Sequence, residues 1–165
     1  MAEWITYHSI VDTPGDWVDT ANAIDNNIAT LATREALGYT TMILDTPFAS
    51  SLSNEITKVE HRLYGSLSDL GIPAKLKISP RYIAGDGTLV DVSQLLGWSN
   101  WIDITSDTNA PGTWAWSDIE ALGVNVVYAW GSGPVPLAQV GVVQIKVTYT
   151  PNIVGKFSTS RSYYY

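Results

Sequence analysis

The stretch Val143-Gln144-Ile145-Lys146-Val147-Thr148-Tyr149 decides the fold class, because apolar and polar residues alternate along it with a period of two. Successive side chains of a β-strand point to opposite faces of the sheet. The apolar residues of this stretch would therefore share one face, and Gln144, Lys146 and Thr148 would share the other. Such a pattern is typical of a strand with one buried and one exposed face.

Further stretches of the chain show strand character. Residues 56–64 alternate in the same way, with Val59, His61 and Leu63 on one face. Shorter strand-like runs cover residues 4–10, 28–33, 39–44, 75–79, 88–92, 98–104 and 124–128. Turn sequences rich in Gly, Pro, Asp and Asn separate them, and Gly85-Asp86-Gly87 is expected to connect a hairpin. We therefore expect an all-β sandwich of about eight antiparallel strands.

One short helix is predicted inside this β pattern. Ser117 is followed three residues later by Glu120, and Gly123 comes soon after, which matches a capping box and a C-terminal glycine. Residues 19–24 could form a second short helix or a turn. We expect one domain over residues 1–150 and a C-terminal arm over residues 151–165, where the sequence becomes polar and ends in tyrosines.

Composition excludes several classes of protein. The chain has 165 residues, 45% of them hydrophobic and only 15% charged, so it holds enough apolar material for a core. Its net charge of -7 disfavours binding to nucleic acid or to an anionic membrane surface. The absence of cysteine excludes disulfides, thiol catalysis and Cys-type zinc sites. No secretory signal or membrane-spanning apolar run is present, so we expect synthesis in the cytoplasm.

No pattern of residues predicts an enzyme, a metal site or a cofactor. His8 and His61 lack a metal-ligand spacing, and the alternation places His61 on a core face. The Gly-x-Ser-x-Gly motif of serine hydrolases is absent. Acidic residues fall mostly in turns, where they satisfy backbone amides. A cluster around Asp16, Asp19 and Asp25 leaves calcium open as an alternative.

The tryptophans are the most informative side chains. Five of the seven fall within 33 residues: Trp98, Trp101, Trp114, Trp116 and Trp130. Trp114 and Trp116 are two apart and would share one face, so we predict them as interface residues. Trp98 and Trp101 are three apart and would face opposite sides of a strand, so that one of them would be core. Core or inter-strand packing is the expected role of most of the five tryptophans, and stacking on a glycan is a further alternative to the interface role.

The end of the chain supplies further candidate interface residues, namely Arg161, Tyr163, Tyr164 and Tyr165. Tyrosine offers a large contact area at low entropy cost. These residues predict an arm that docks on a neighbouring subunit, and a frayed terminus is the alternative.

The order of these features resembles the jelly-roll virion proteins of tailed bacteriophages. The resemblance rests on the opening Trp17-Val18-Asp19-Thr20-Ala21-Asn22-Ala23-Ile24-Asp25-Asn26-Asn27, followed by Ala29 and Thr30, and on the strand that begins Ile56-Thr57-Lys58-Val59. A tryptophan loop, Trp114-Ala115-Trp116-Ser117-Asp118-Ile119, and the final strand 143–149 complete it.

The resemblance implies a jelly roll and a structural role in the virion. Such domains act as capsid decoration (cement) proteins, commonly homotrimers, which bind the major capsid protein on the outside of the head. We therefore expect a virion protein without catalytic activity. The first alternative is a module of a tail fibre or baseplate that binds a host glycan, and the second is a small domain that binds or cleaves glycans. Fold alone does not decide among them.

Overall fold

The computed structural model describes residues 1–13, 15–34, 38–47, 54–70, 73–130 and 133–151. These residues form an all-β structure, as the alternation predicts. Its strands are β1 (Ala2–Thr13), β2 (Ala32–Arg34), β3 (Gly38–Pro47), β4 (Glu55–Leu67), β5 (Lys75–Tyr82), β6 (Gly85–Asp86), β7 (Val90–Asp91), β8 (Gly97–Trp98), β9 (Ile102–Asp103), β10 (Gly123–Trp130) and β11 (Ala138–Thr150). Helical structure in the described residues is limited to a 3₁₀ helix, Thr20–Ala23, and α1, Trp116–Glu120.

The strands form two antiparallel sheets that share β1. Residues 2–7 of β1 pair with β11 in sheet A, where β11 also pairs with β2 and β4, and β4 carries β8 and β9 on its other side. Residues 8–13 of β1 pair with β3 in sheet B, which continues through β10 and β5 to β6 and β7. The short strands therefore lie at the sheet edges far from β1: β8 and β9 beside β4 in sheet A, and β6 and β7 beside β5 in sheet B.

The pairing pattern is compatible with more than one sandwich topology. β3 pairs with β10 and β4 pairs with β11, so the two pairings cross along the chain. A β-sandwich accommodates this order, and it does not by itself identify a jelly roll. The jelly-roll topology implied by the resemblance stays a prediction.

The core lies between the sheets, where the alternation predicts it. Val143, Ile145 and Val147 of β11 have no exposed surface, and neither do Val59 and Leu63 of β4. Sheet B contributes an inner face of Met42, Leu44, Leu76, Ile78, Val124, Val126 and Tyr128. Burial of this apolar surface is the main force that holds the two sheets together.

A second core cluster lies at the end of the sandwich where β4 begins. It joins Ile56, Tyr82, Ile104 and Ile119 to three tryptophans, Trp4, Trp114 and Trp116. Trp4 and Trp116 meet edge to face at 5.5 Å, and Tyr82 and Trp114 do so at 6.0 Å. Edge-to-face contact is the preferred geometry of aromatic pairs, so these rings fix α1 against the sheets.

Two predicted turn and cap positions are wrong by two residues. The hairpin between β5 and β6 turns at Ile83 and Ala84, because Tyr82 pairs with Gly85 and Arg81 with Asp86. Gly85-Asp86 thus belongs to a strand. The helix cap is Ala115 rather than Ser117, and the carboxylate of Asp118 accepts a hydrogen bond from the Ala115 amide at 2.8 Å. Asp118 thus takes the place that the capping box assigned to Glu120.

Three predicted strands are shorter than expected. Of the run 28–33, only residues 32 and 33 are in a strand, β2, because the chain turns at residues 28–30. Residues 88–92 contribute the two-residue strand β7, and residues 98–104 are divided between β8 and β9.

No helix among the described residues has the length and apolar character to span a bilayer. β11 ends at Thr150, the predicted end of the domain. The predicted arm beyond Pro151 lies outside the described residues, so the domain boundary stays a prediction.

Candidate functional site: an arginine held by two tryptophans

The outer face of sheet A brings together charged and aromatic side chains from four segments. Arg62 of β4 lies opposite Gln144 of β11, and Glu60 lies opposite Lys146. Trp98 lies on β8, beside β4, and Trp101 follows it just before β9. We call Glu60, Arg62, Trp98, Trp101, Gln144 and Lys146 the Arg62 cluster.

The Arg62 guanidinium is fixed by two rings and one amide. Its Cζ lies 4.0 Å from the ring centroid of Trp98 and 4.2 Å from that of Trp101. Nε and Nη2 both donate to Oε1 of Gln144, at 3.1 and 2.8 Å. Cation–π attraction reaches about 6 Å from a ring centroid, so both rings contribute. Burial lowers the pKa of Arg62, yet a guanidinium remains charged at any physiological pH.

A chain of ion pairs continues the cluster. Lys146 Nζ lies 2.8 Å from Oε2 of Glu60 and 4.6 Å from the ring centroid of Trp101. Lys58 Nζ lies 2.8 Å from the other oxygen, Oε1, of Glu60, and 3.6 Å from Asp103. Burial acts to raise the pKa of Glu60, but hydrogen bonds from the two lysines outweigh it, and the pKa is lowered. The carboxylate is therefore ionised and has a cation at each oxygen.

The cluster presents partly exposed aromatic rings in fixed positions. Trp98 and Trp101 are half-buried, so each indole keeps exposed surface. Tyr64 of β4 packs edge to face on Trp98 at 5.2 Å and helps to hold that ring in place. Because the two rings and the guanidinium are already ordered, contact with a partner would cost these side chains little further entropy.

Trp114 and Trp116, predicted as interface residues, lie instead in the core. Their side chains keep only 7% and 8% of their surface exposed. Trp114 Nε1 donates to the carbonyl of Thr105 at 2.9 Å, and Trp116 Nε1 donates to the carbonyl of Asn54 at 3.1 Å. A backbone acceptor allows each indole to be buried without an unsatisfied N–H. The structure therefore corrects this prediction: the two rings pack the second core cluster.

The remaining predicted interface residues, Arg161, Tyr163, Tyr164 and Tyr165, lie outside the described residues. Their role in contact with a neighbouring subunit stays a prediction.

Both histidines lie in the core, as the alternation predicts for His61. Burial and the proximity of His61 lower the pKa of His8 to about 3. Burial lowers the pKa of His61 to about 4, although the charge of Asp107 acts in the opposite direction. The two side chains are therefore neutral at physiological pH.

The described part of the chain contains no group of three or more His, Asp or Glu side chains that could hold a metal ion. In the region where the sequence leaves calcium open as an alternative, the Asp25 carboxylate accepts hydrogen bonds from the Asn27 amide and the Thr30 hydroxyl. This is the turn-stabilising role that the sequence analysis expects for the acidic residues.

Sequence reasoning missed Arg62 as a functional candidate. The only sequence sign is that Arg62 lies on the polar face of its strand, while the two tryptophans are more than 30 residues away along the chain. Their meeting depends on the pairing of β8 with β4, which the sequence does not specify.

Comparison with protein-family models and with curated proteins finds no match to this chain.

Proposed function

We propose that this chain is a structural protein of a tailed-phage virion, a capsid decoration protein that binds the capsid exterior and catalyses no reaction. The proposal combines the sequence resemblance with one structural observation, the partly exposed Arg62 cluster on the outer face of sheet A. A preordered surface of tryptophan and arginine is the kind of surface on which interface energy concentrates.

The physical character of the cluster supports a contact with another protein. Interface cores are enriched in tryptophan, tyrosine and arginine and depleted of lysine and glutamate. Here Glu60 and Lys146 neutralise each other at 2.8 Å, so docking would not leave an isolated charge buried at that point. Under this proposal the partners are the major capsid protein and further copies of the chain in a homotrimer.

The direct test uses particles purified from the phage that encodes this chain. Electron microscopy of those particles should show the domain on the outer surface of the head, around a threefold axis if the trimer is present. A position on the tail, or absence from purified particles, contradicts the proposal.

The docking face is tested separately by binding of purified variants to particles that lack the protein. Trp101→Ala should weaken binding by about tenfold to a hundredfold, as expected for loss of an aromatic hot spot. Lys75→Ala is the matched control, because Lys75 forms an exposed ion pair with Asp91 on the other sheet. Equal binding by both variants excludes the Arg62 cluster as the docking face.

A second candidate is a tail-associated module that binds a host glycan. The observation in its favour is the pair of partly exposed tryptophans, Trp98 and Trp101, since sugar rings stack on such surfaces. Binding on a glycan array that Trp101→Ala abolishes, together with a tail position in the particle, would favour this candidate over decoration.

A further inference from the structure

Among the arginines that the structure describes, Arg62 alone has no carboxylate within ion-pair distance. Arg34 lies 3.3 Å from a carboxylate oxygen of Asp16, and Arg81 lies 3.3 Å from one of Asp45. Arg62 takes part in none of the ion pairs of the described residues. Acidic residues outnumber basic ones by 16 to nine in the whole chain, so a shortage of carboxylates does not account for the difference.

One edge of the Arg62 guanidinium keeps free hydrogen-bond donors. A guanidinium carries five N–H donors, and Nε and Nη2 of Arg62 each use one of theirs on Oε1 of Gln144. In the part of the chain that the structure describes, nothing accepts a hydrogen bond from Nη1, and Nη1 is not buried. The edge formed by Nη1 and Nη2 is therefore open to solvent. A carboxylate binds such an edge with two parallel hydrogen bonds.

The charges of the Arg62 cluster do not cancel. Lys146 neutralises Glu60 at 2.8 Å, so the charge of Arg62 gives the cluster, with its two cations and one anion, a net charge of +1. The neighbouring ion pair of Lys58 and Asp103 adds one charge of each sign. The chain as a whole carries a net charge of -7. The cluster is therefore a positive site on an acidic protein, and it attracts a negatively charged group that the rest of the surface repels.

Exposed apolar side chains lie close to this cation. The rings of Trp98 and Trp101 contact Arg62 and are partly exposed. Leu95 and Leu96 directly precede β8, and 69% and 54% of their surfaces are exposed. A partner that covered these side chains with apolar groups alone would bury the charge of Arg62 without a counter-ion, which is costly. A stable contact therefore needs an anion from the partner.

We propose that the Arg62 cluster binds an aspartate or glutamate side chain of a partner protein, and that apolar side chains flank this residue in the partner. The carboxylate accepts hydrogen bonds from Nη1 and Nη2 of Arg62. The apolar side chains lie on Trp98 and Trp101 and beside Leu95 and Leu96, where they exclude water and so strengthen the hydrogen bonds. This inference rests on the proposed function only for the presence of a protein partner, and it adds the chemistry that the cluster selects.

The first test measures the chemistry of the site on the full chain without a virion. The probe is a capped tripeptide with glutamate between two leucines, and the control peptide has glutamine in place of the glutamate. Binding is followed by the indole N–H resonances of Trp98 and Trp101, and the same spectra show that each variant is folded. Arg62→Gln removes the guanidinium. Lys77→Gln is the matched control, because it removes the same charge from β5 of the other sheet, where Lys77 forms no ion pair with a described residue.

We expect the wild type to bind the glutamate peptide about tenfold more tightly than the glutamine peptide, because hydrogen bonds between charged groups are stronger than those to a neutral amide. Arg62→Gln should abolish this preference, and Lys77→Gln should keep it. Equal affinities of the wild type for the two peptides, or binding of neither, overturn the proposal. Tighter binding of glucuronate than of the glutamate peptide also overturns it, because the ligand is then an acidic glycan.

The second test separates this inference from the proposed role in the virion. Particles that lack the protein should bind Arg62→Gln at least about tenfold more weakly than the wild type, and they should bind Lys77→Gln as tightly as the wild type. Binding of the wild type with no loss in Arg62→Gln overturns the inference and leaves the proposed function in place. Failure of the wild type to bind contradicts the proposed function alone, and the peptide preference then decides the inference by itself.

Discussion

The two buried histidines make the stability of this protein sensitive to mild acid. His8 on β1 and His61 on β4 lie on the two long strands that flank β11. They are 1% and 2% exposed, and among the described residues neither His8 Nδ1 nor His61 Nε2 has a hydrogen-bond partner. A proton added to either of these nitrogens would therefore lie in the core without a carboxylate bonded to it.

The size of the effect follows from the pKa values. The pKa of an unfolded histidine is 6.5, whereas the folded values are about 3 for His8 and about 4 for His61. Below pH 6.5 both histidines become protonated in the unfolded chain but stay neutral in the folded chain. The free energy of unfolding therefore falls as the pH falls, until the pH reaches the folded pKa values. Linkage gives about 2 kcal/mol per histidine between about pH 7.5 and pH 5, or about 4 kcal/mol together.

Urea unfolding followed by tryptophan fluorescence measures this change. The free energy of unfolding of the wild type should drop by about 4 kcal/mol from about pH 7.5 to pH 5. His8→Leu and His61→Leu should each remove about half of that pH dependence, and the double variant almost all of it. The window lies above the range in which the pKa-lowered carboxylates, such as Glu60 and Asp107, lose their stabilising effect.

Two results would show that the argument is wrong. One is a wild-type change below about 1 kcal/mol, which would mean that the folded protein accepts the protons at little cost. The other is a double variant with the full pH dependence, which would assign the effect to other groups.

Four substitutions test the packing and the ion pairs of Glu60 by the same unfolding measurement. Trp116→Ala should lower the free energy of unfolding by about 3–5 kcal/mol, because it leaves a cavity in the second core cluster. A decrease below about 1 kcal/mol would contradict the burial of this side chain. Gly65→Ala should lower the free energy of unfolding by about 1–3 kcal/mol, because its Cβ would collide with the Gln139 carbonyl and the Leu63 side chain. Gly112→Ala should change it by no more than about 0.5 kcal/mol, because a Cβ there meets no atom within 4 Å. Equal free energies of unfolding for these two glycine variants would contradict the difference in space around the two positions. Glu60→Gln should cost about 1–3 kcal/mol, because it removes the charge between two lysines, and unchanged stability would show that these ion pairs contribute nothing.

Long strands could be predicted from the sequence because one of their faces is buried along most of their length. In β11 the predicted run 143–149 is confirmed, but the strand begins earlier, at Ala138. The register shifts between Val140 and Val142, so a bulge interrupts the alternation there. A period-two pattern does not continue through a bulge, so the alternation does not predict the first part of the strand.

The Arg62 cluster could not be predicted because its two tryptophans do not belong to one regular strand. The chain leaves β8 after Trp98, and the buried Ser99 bonds β4 instead: its amide donates to the Leu63 carbonyl at 2.8 Å and its hydroxyl accepts from the Leu63 amide at 3.1 Å. This interruption resets the alternation before Trp101. As a result both rings reach Arg62, although a spacing of three predicts opposite faces.

The two tryptophan pairs differ in their burial and in what holds their rings. Trp114 and Trp116 are buried with their indole N–H groups bonded to the carbonyls of Thr105 and Asn54, so their burial leaves no unsatisfied donor. Trp98 and Trp101 lie instead along the edge of sheet A, where the guanidinium of Arg62 holds their rings in place while part of each ring stays exposed. Of these four tryptophans, the structure buries one pair in the second core cluster and leaves the other pair partly exposed around Arg62. This is why the proposed docking surface is centred on Arg62.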